Sequence, residues 1–341
     1  MIHKQTPRIV IKFGGTSVRY FLREAVGFVK SLSERNLVTV VVSALSEATD
    51  TLLSFALTGD AAYLEKFVDI HEKYVEGAGI EKELRELKWV REHRRLYPCR
   101  RSYVDHILSI GERVSSRIFA NLLESGVAVD AYEIIVTDGN FGDAKIVLGE
   151  TARRLGMLEK IWESGGIPVV TGFTGRYGGY RTTLGRNGSD YTATSLAYLL
   201  RARKVLIMGE VEGIYTADPY IVKDARIIPF LSYRRAKIAS RLGMRAIHSK
   251  ALNAIKGEIP IVIGRTKDWR MGTMVDELDM KMPLITHKPL RDGYALSIIG
   301  EDVPRMPHRK LARGKDYITY FVERKNLEKT MREMHGMMLY D

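Results

Sequence analysis

RIVIKFGGTSV, residues 8–18, decides the fold. Its first six residues are a β-branched run of strand length, and Gly14-Gly15 ends it. The stretch that follows, RYFLREAVGFVKSLSER (19–35), carries apolar residues near helical spacing, and LVTVVVSA (37–44) reads as a buried strand. The alternation continues outward. Helical patterns fill 51–96 and 102–125, followed by strand-like AYEIIVT (131–137) and a helix at 151–164. Strand IPVVTGF (167–173), a helix at 189–201, and strands KVLIMG (204–209) and IPIVIG (259–264) complete the series. Continuous apolar strands spaced by helices predict an α/β fold, a three-layer αβα sandwich around a mostly parallel sheet. After RTKDWRMGTMV the texture changes. Strand YALSIIG (294–300), a polar proline-containing link, strand YITYFVE (317–323) and helix NLEKTMREMHGMMLY (326–340) predict a small α+β module. Domains are expected at 1–277 and 278–341.

Composition narrows the function classes. Among 341 residues, 45% are apolar and 28% charged, as in an ordinary globular protein. No run of eighteen apolar residues occurs, so no membrane association is expected. The opening MIHKQTPRIVIKFGG has no signal-peptide pattern, and the single cysteine, Cys99, leaves no internal disulfide. Both fit a reducing cytoplasm. Cysteine-based zinc sites are excluded as well, and the eight histidines lack metal-like spacing, so no protein-built metal site is expected. The net charge of +12 is concentrated in part in ELRELKWVREHRRLYPCRRSYVD (83–105). A basic balance fits a polyanion partner such as nucleic acid, or a solvated, ion-paired helix surface of the kind seen in heat-adapted proteins. The run lacks the interleaved aromatics on which single strands stack, which favours the surface reading and no nucleic-acid partner.

Neither G-x-x-x-x-G-K-[ST] nor a strand-borne G-x-G-x-x-G is present. KFGGTSV offers something else. Gly14 and Gly15 let backbone approach a phosphate closely, Thr16 or Ser17 can cap the next helix, and Lys12 faces the opening at the strand's carboxyl end. A plain βα turn with a surface lysine fits the same residues. SALSEATDTLL (43–53) supplies Ser43, Thr49 and Asp50 as ligand or cap groups. SIGERVSSRIFANLL (109–123) reads as helix although Gly111 costs about 1 kcal/mol there relative to alanine. Either something approaches closely beside Glu112 and Arg113, or Gly111 is a packing glycine flanked by exposed charges. RTTLGRNGSDYTATSLAYLL (181–200) sets a glycine-hinged polar loop at the mouth of a helix. Such a place binds anions, and Arg186 can grip a carboxylate or phosphate with two hydrogen bonds. The other reading is a capped helix start, with Ser189 or Asp190 as N-cap, Gly188 in the turn and Arg186 exposed. In VEGIYTADPY (211–220), Gly213 and Asp218-Pro219 make turns around Tyr215, which either stacks on a base or joins the core.

Taken in order, KFGGTSV, SIGERVSS, GFTG, TTLGRNGSDYTA, EGIYTADP and IPIVIGRT…GT resemble the motifs of the aspartate kinases, in the amino acid kinase superfamily, from about residue 8 to 275. The resemblance implies transfer of the γ-phosphoryl of ATP to the side-chain carboxylate of L-aspartate, giving 4-phospho-L-aspartate. That is the first step toward lysine, threonine and methionine. It implies Lys12 on the transferring phosphoryl, and Asp190 orienting that lysine and supporting catalysis. Gly14, Gly15, Thr16 and Ser17 would line the phosphate path. Arg186 would hold the substrate carboxylate and Glu112 the substrate ammonium, with Ser43, Thr49, Phe173 and Ser189 completing the pocket. Tyr215 and Asp218, with Glu210 before them, would belong to the nucleotide loop, and Arg245 falls where the family has a lysine. Mg²⁺ is expected to ride mostly on phosphate oxygens and water. A sister kinase for another carboxylate, a carbamate or a nucleotide, and a non-catalytic regulatory homologue, are the alternatives.

Three departures stand out. The family's T-D-V-D-G is here GEVEG, with Gly209, Glu210 and Glu212; Tyr220 replaces an arginine after Asp-Pro; and Asn187 replaces a glycine, a change asparagine tolerates in a left-handed turn. The tail departs further. Aspartate kinases commonly carry two ACT modules that bind lysine or threonine and inhibit, whereas YALSIIGEDV and YITYFVERKNLEKTMREMHGMMLY resemble parts of one, lacking its first helix. The expectation is an enzyme not inhibited by lysine or threonine through its own chain. A homodimer, with the tail serving its contacts or pairing with a separate regulatory ACT-containing protein, is the expected assembly.

Overall fold

The computed structural model describes residues 6–74, 79–300 and 306–339. Residues 1–5, the end of YALSIIGEDV, part of the proline-containing link and Tyr340 lie outside the described residues. The first ten strands are β1 (Arg8–Phe13), β2 (Leu37–Val42), β3 (Gly126–Val129), β4 (Ile167–Thr171), β5 (Thr174–Tyr177), β6 (Tyr180–Thr183), β7 (Lys204–Gly209), β8 (Phe230–Ser232), β9 (Ile261–Arg265) and β10 (Met271–Asp276). Eight of them form one sheet in the order β3-β4-β2-β1-β7-β9-β10-β8, and β5 and β6 form a separate hairpin. The six strands from β3 to β9 are mutually parallel; β10 runs antiparallel to β9 and carries β8 alongside it.

Helices cover both faces. In chain order they are α1 (Gly15–Tyr20), α2 (Leu22–Ser33), α3 (Ala48–Thr58), α4 (Ala62–His71), α5 (Glu81–Glu92), α6 (Arg100–Leu122), α7 (Ala131–Ile134), α8 (Leu148–Ala152), α9 (Gly156–Glu163), α10 (Gly188–Leu199), α11 (Tyr233–Arg241) and α12 (Ser249–Ala254). Ile9, Ile11 and Phe13 of β1 pack with α2, α3 and α6 through Phe28, Leu52 and Phe119. Val10 lies in the other core, with Ala193 and Leu196 of α10 and Trp162 of α9. Strand alternation therefore turns Lys12 toward the face that carries α10. This is the expected three-layer sandwich.

Four more strands, β11 (Leu284–Pro289), β12 (Gly293–Ile299), β13 (Lys310–Arg313) and β14 (Tyr317–Glu323), make an antiparallel sheet in the order β11-β12-β14-β13, and α13 (Leu327–Leu339) follows. Leu327, Met331 and Met334, spaced for one helix face, meet Leu296, Ile298, Ile318 and Tyr320 in a third core. Ala217 and Val222, from the loop after β7, belong to that core too.

The structure corrects several local readings. AYEIIVT is not a strand. Asp130 caps a short helix there, its side chain accepting from Tyr132 N at 3.0 Å, and only single bridges follow at Val136 and Thr137. The helical pattern at 51–96 breaks after Thr58, where Gly59 takes the left-handed C-terminal position (φ 73°). Strands β11 and β13 were absent from the sequence reading of the tail. The basic run 83–105 turns Glu83 and Glu86 inward, while Glu92 stays exposed: Glu83 pairs with Arg117 at 2.9 Å and Glu86 with Arg113 at 2.6 Å and His106 at 2.8 Å. Those partners hold the Glu86 carboxyl well below the usual carboxylate range, although burial acts the other way. Among the described residues no helix is long and apolar enough to cross a membrane.

Candidate active site

The carboxyl ends of β1 and β7 meet where the chain's strand order changes direction, the place at which open α/β sheets bind ligands. Gly14 N donates to Met208 O there, at 3.2 Å. A cavity of about 1010 Å³ opens at this point. It is lined by Lys12, Gly14, Gly15, Ser43, Thr49, Glu112, Phe173, Arg186, Ser189 and Asp190. Ten of the residues singled out in sequence, from five separate segments, thus face one space.

Lys12 Nζ stands 2.6 Å from Asp190 Oδ1, both side chains largely buried. Apart from that ion pair, Asp190 Oδ1 has no hydrogen-bond partner among the described residues. Asp190 sits in the first turn of α10, where the helix dipole favours a negative group. Neither Ser189 nor Asp190 caps the helix. The N-cap is Asn187, in the left-handed region at φ 54° and with no side-chain cap bond, which frees the Ser189 hydroxyl to accept from Ser43 Oγ at 3.0 Å. Arg186 is exposed at the rim and lacks an ion-pair partner among the described residues.

Glu112 is the most telling group. It is only 2% exposed, and its Oε1 accepts from Ala44 N at 3.2 Å while its Oε2 has no partner. With no cation beside it, burial pushes its pKa up to about 8. Gly111 makes the approach possible: a methyl group there would stand 2.9 Å from Ala44 Cβ. What approaches that mid-helix glycine is the chain's own Ala44 and Leu52, so it is a packing glycine, but its neighbouring charges are not exposed; Glu112 is buried and Arg113 is paired with Glu86.

Six non-glycine described residues have a left-handed backbone, and two of them, Phe173 (φ 63°) and Asn187 (φ 54°), line this cavity. A bulky aromatic in that region is strained, and strain held by packing marks sites where geometry matters. The Phe173 ring lies against Gly188, where a methyl would meet Cδ2 at 2.8 Å.

Other expected site residues lie elsewhere. Ser17 is buried and shares a 2.7 Å hydrogen bond with Thr266 Oγ1, and neither Ser17 nor Thr16 caps α1, whose N-cap is Gly14. Asp50 is exposed on α3 and outside the cavity. Glu210 is exposed, and Glu212 is tied to Arg265 at 3.3 Å. Tyr215, Asp218 and Arg245 gather at a second, smaller cleft of about 280 Å³ beside the loop after β7, with Tyr220 on its edge. Tyr215 is half-buried there and does not join the core.

Sequence reading missed Asp105. It is 1% exposed, lines the large cavity, and accepts from Thr183 Oγ1 at 2.7 Å, Thr183 N at 2.9 Å and Gly142 N at 2.9 Å. Burial raises its pKa to about 6 against those bonds. The signal was available: a spacing of seven puts Asp105 and Glu112 on one face of α6. Arg100 and Arg101, from the basic run, reach the cavity rim.

A cavity at the switch point, a buried lysine–aspartate pair and an unpaired buried acid thus lie together on a three-layer α/β fold. A model of the amino acid kinase family matches residues 7–265, and the chain belongs to that family. Relatives include the aspartokinase of Geobacillus stearothermophilus, 33% identical over 288 residues that cover 81% of this chain and 61% of that one. Lysine-sensitive aspartokinase 3 of Escherichia coli (strain K12) is 32% identical over 314 residues, covering 84% and 68%. The chain thus spans less than two thirds of the length of the Geobacillus relative. In fold it is similar to E. coli aspartokinase III in complex with aspartate and ADP in the R-state. The TM-score is 0.83 at 21% identity, over 98% of this chain and 100% of that one.

Proposed function

We propose that this chain transfers the γ-phosphoryl group of ATP to the side-chain carboxylate of L-aspartate, giving 4-phospho-L-aspartate. The observation that carries the reading is Glu112: a buried carboxylate oxygen without a partner, in the same cavity as the Lys12–Asp190 pair. A buried acid without a counter-charge is costly unless a ligand supplies one. The α-ammonium of an amino acid does so, and its pairing with Glu112 leaves Arg186 at the rim for a carboxylate, which guanidinium grips at two points. The acceptor carboxylate is already ionised near neutral pH and is itself the nucleophile, so the site needs no general base. Lys12 offsets charge on the transferring phosphoryl, and Asp190 fixes the lysine's position. The similarity to aspartokinases over most of the chain supports the same substrates.

Mg²⁺ belongs to the proposal with the nucleotide. Among the described residues no group of three or more His, Cys, Asp or Glu could hold a metal, and Asp190 is the carboxylate beside Lys12. That donor set fits a cation held mainly by phosphate oxygens and water, with Asp190 as its protein contact. Bound there, it neutralises phosphate charge. Tyr215, Asp218 and Arg245 are proposed to take the nucleoside in the smaller cleft. A division at 277/278 is part of the same reading, supported by the separate sheet that β11–β14 form.

The test is a hydroxamate assay with ATP, Mg²⁺ and L-aspartate, with L-glutamate in parallel and Lys12→Ala as control. Aspartate-dependent signal that vanishes in Lys12→Ala is the expected result. Signal with L-glutamate alone would reassign the acceptor, and no signal from folded chain that binds ATP would move it to a sister substrate.

A further inference from the structure

The smaller cleft is not walled by the first 277 residues alone. Along one side runs β11, whose Ile285, Thr286 and His287 line it opposite Tyr215, Asp218 and Arg245. The strand is fastened to both banks. Ile285 N donates to Thr216 O at 2.7 Å, next to Tyr215, and Thr286 Oγ1 donates to Leu242 O at 2.9 Å, next to Gly243. Gly243 has φ 114°, open to glycine, and a methyl group there would run into the His287 carbonyl oxygen. The backbones are therefore in direct contact. Behind β11, Thr216 Oγ1 and His335 Nε2 of α13 share a buried 2.8 Å hydrogen bond, and Arg332 Nε donates to Ile221 O at 3.0 Å. Both partners in the loop sit close to Tyr215 and Asp218 in sequence, so the C-terminal sheet and its helix both hold the loop that carries those residues.

His287 itself is half-buried, edge-on to Tyr294 with ring centroids 5.7 Å apart. Asp218 and Arg245 act on it with opposite sign, and burial lowers its pKa, which keeps the imidazole neutral near pH 7. A neutral imidazole offers one N–H and one lone pair, a combination suited to sugar hydroxyls or a base edge.

We propose that β11 is a wall of the nucleotide cleft and that His287 contacts the bound nucleoside of a purine nucleotide, so that nucleotide affinity depends on how the C-terminal sheet is docked. The inference rests on reading the smaller cleft as the nucleotide site. By reciprocity, a nucleotide that touches β11 also holds the sheet against the loop.

The test uses the full chain and MgADP, by calorimetric titration, with His287→Ala and Lys288→Ala compared. Lys288 lies on the same strand, is exposed, and does not line the cleft. His287→Ala is expected to weaken MgADP by about 2- to 13-fold, the loss of one hydrogen bond. The KM for L-aspartate should stay within about two-fold, since that substrate's site is untouched. Lys288→Ala should bind MgADP as the parent chain does. Hydrogen exchange on the parent chain gives a second readout that needs no variant: backbone amides of residues 284–288 should exchange more slowly with MgADP bound. A parent chain that binds MgADP, with His287→Ala binding equally and β11 exchange unmoved, overturns the inference and leaves the nucleotide reading standing. A parent chain that binds no MgADP overturns both. If His287→Ala does not fold, the exchange measurement alone decides.

Discussion

The large cavity and the small cleft are built in different ways. Most groups at the heart of the cavity come from strand ends or a helix start of one parallel sheet, Lys12 from β1, Ser43 after β2, Phe173 after β4 and Asp190 from α10, and Glu112 joins them from the middle of α6. The cleft is shared between the loop after β7 and a strand of a different sheet, β11. The first is rigid by topology, because the sheet fixes where its strand ends lie. The second depends on two units staying docked, through contacts such as Thr216–His335. Acceptor chemistry is thus expected to be robust to changes in the C-terminal sheet, and nucleotide binding to be sensitive to them.

The sharpest break between the two regions is Lys12→Ala. It should lower kcat by roughly 10²–10³, as loss of one charge-stabilising group does, while leaving binding at the cleft in place. Rapid-quench measurement with saturating ATP and L-aspartate checks it; wild-type turnover would remove Lys12 from the phosphoryl path.

Next in size, Glu112→Gln should raise the KM for L-aspartate by roughly 10- to 100-fold, the worth of a buried charged hydrogen bond. The same change should stabilise the ligand-free chain at pH 8. A carboxyl whose folded pKa is about 8 binds more protons folded than unfolded between its ordinary value of 4.5 and 8, so stability falls as pH rises through that window. Thermal melts at pH 6 and pH 8 should show the wild-type chain losing more than the variant. Equal losses would mean that Glu112 has a counter-charge in solution.

A smaller effect separates two kinds of contact in the cavity. Arg186→Lys keeps the charge and loses the two-point grip, so the KM for L-aspartate should rise about ten-fold with MgADP affinity unchanged. A parallel loss of MgADP affinity would place Arg186 on phosphate instead.

Asp105 offers the mildest contrast. It shares a helix face with Glu112 yet is fully occupied, joining α6 to Thr183 and Gly142. Asp105→Asn is expected to cost about 1–3 kcal/mol of stability by setting an amide against a hydrogen-bond donor, with only a minor change in KM. Chemical denaturation reads the first and initial rates the second.

The same contrast explains what could be read from the sequence. RIVIKFGGTSV and the apolar strands after it carried their pattern locally, so the parallel sheet and its switch point were visible, and with them Lys12. The polar loop at 181–192 was legible as a segment set apart at a helix mouth, and it lines the cavity, although its cap was not legible, because Asn187 takes over the turn in a left-handed conformation. AYEIIVT misled because Asp130 starts a helix that its apolar residues do not announce. Asp105 hid in a helix where the neighbouring His106, Arg113 and Arg117 serve ion pairs. Strand β11 was invisible for a different reason: LITHKP shows no clean alternation, and its meaning comes from Thr216 and Leu242, 69 and 44 residues away in the chain from the bonded Ile285 and Thr286. Local pattern finds what a strand end does; it does not find which distant strand closes a cleft.

The central claim is that Glu112 is an acid kept waiting for a substrate ammonium, and proton counting tests it most directly. L-Aspartate is titrated into the full chain at pH 7 in buffers of differing ionisation enthalpy, and the dependence of the observed heat gives the protons exchanged. With its pKa raised by burial to about 8, the Glu112 carboxyl is mostly protonated at pH 7, so binding an ammonium beside it should release a proton. The release should vanish in Glu112→Gln. Tight aspartate binding with no proton released at pH 7 would contradict the account.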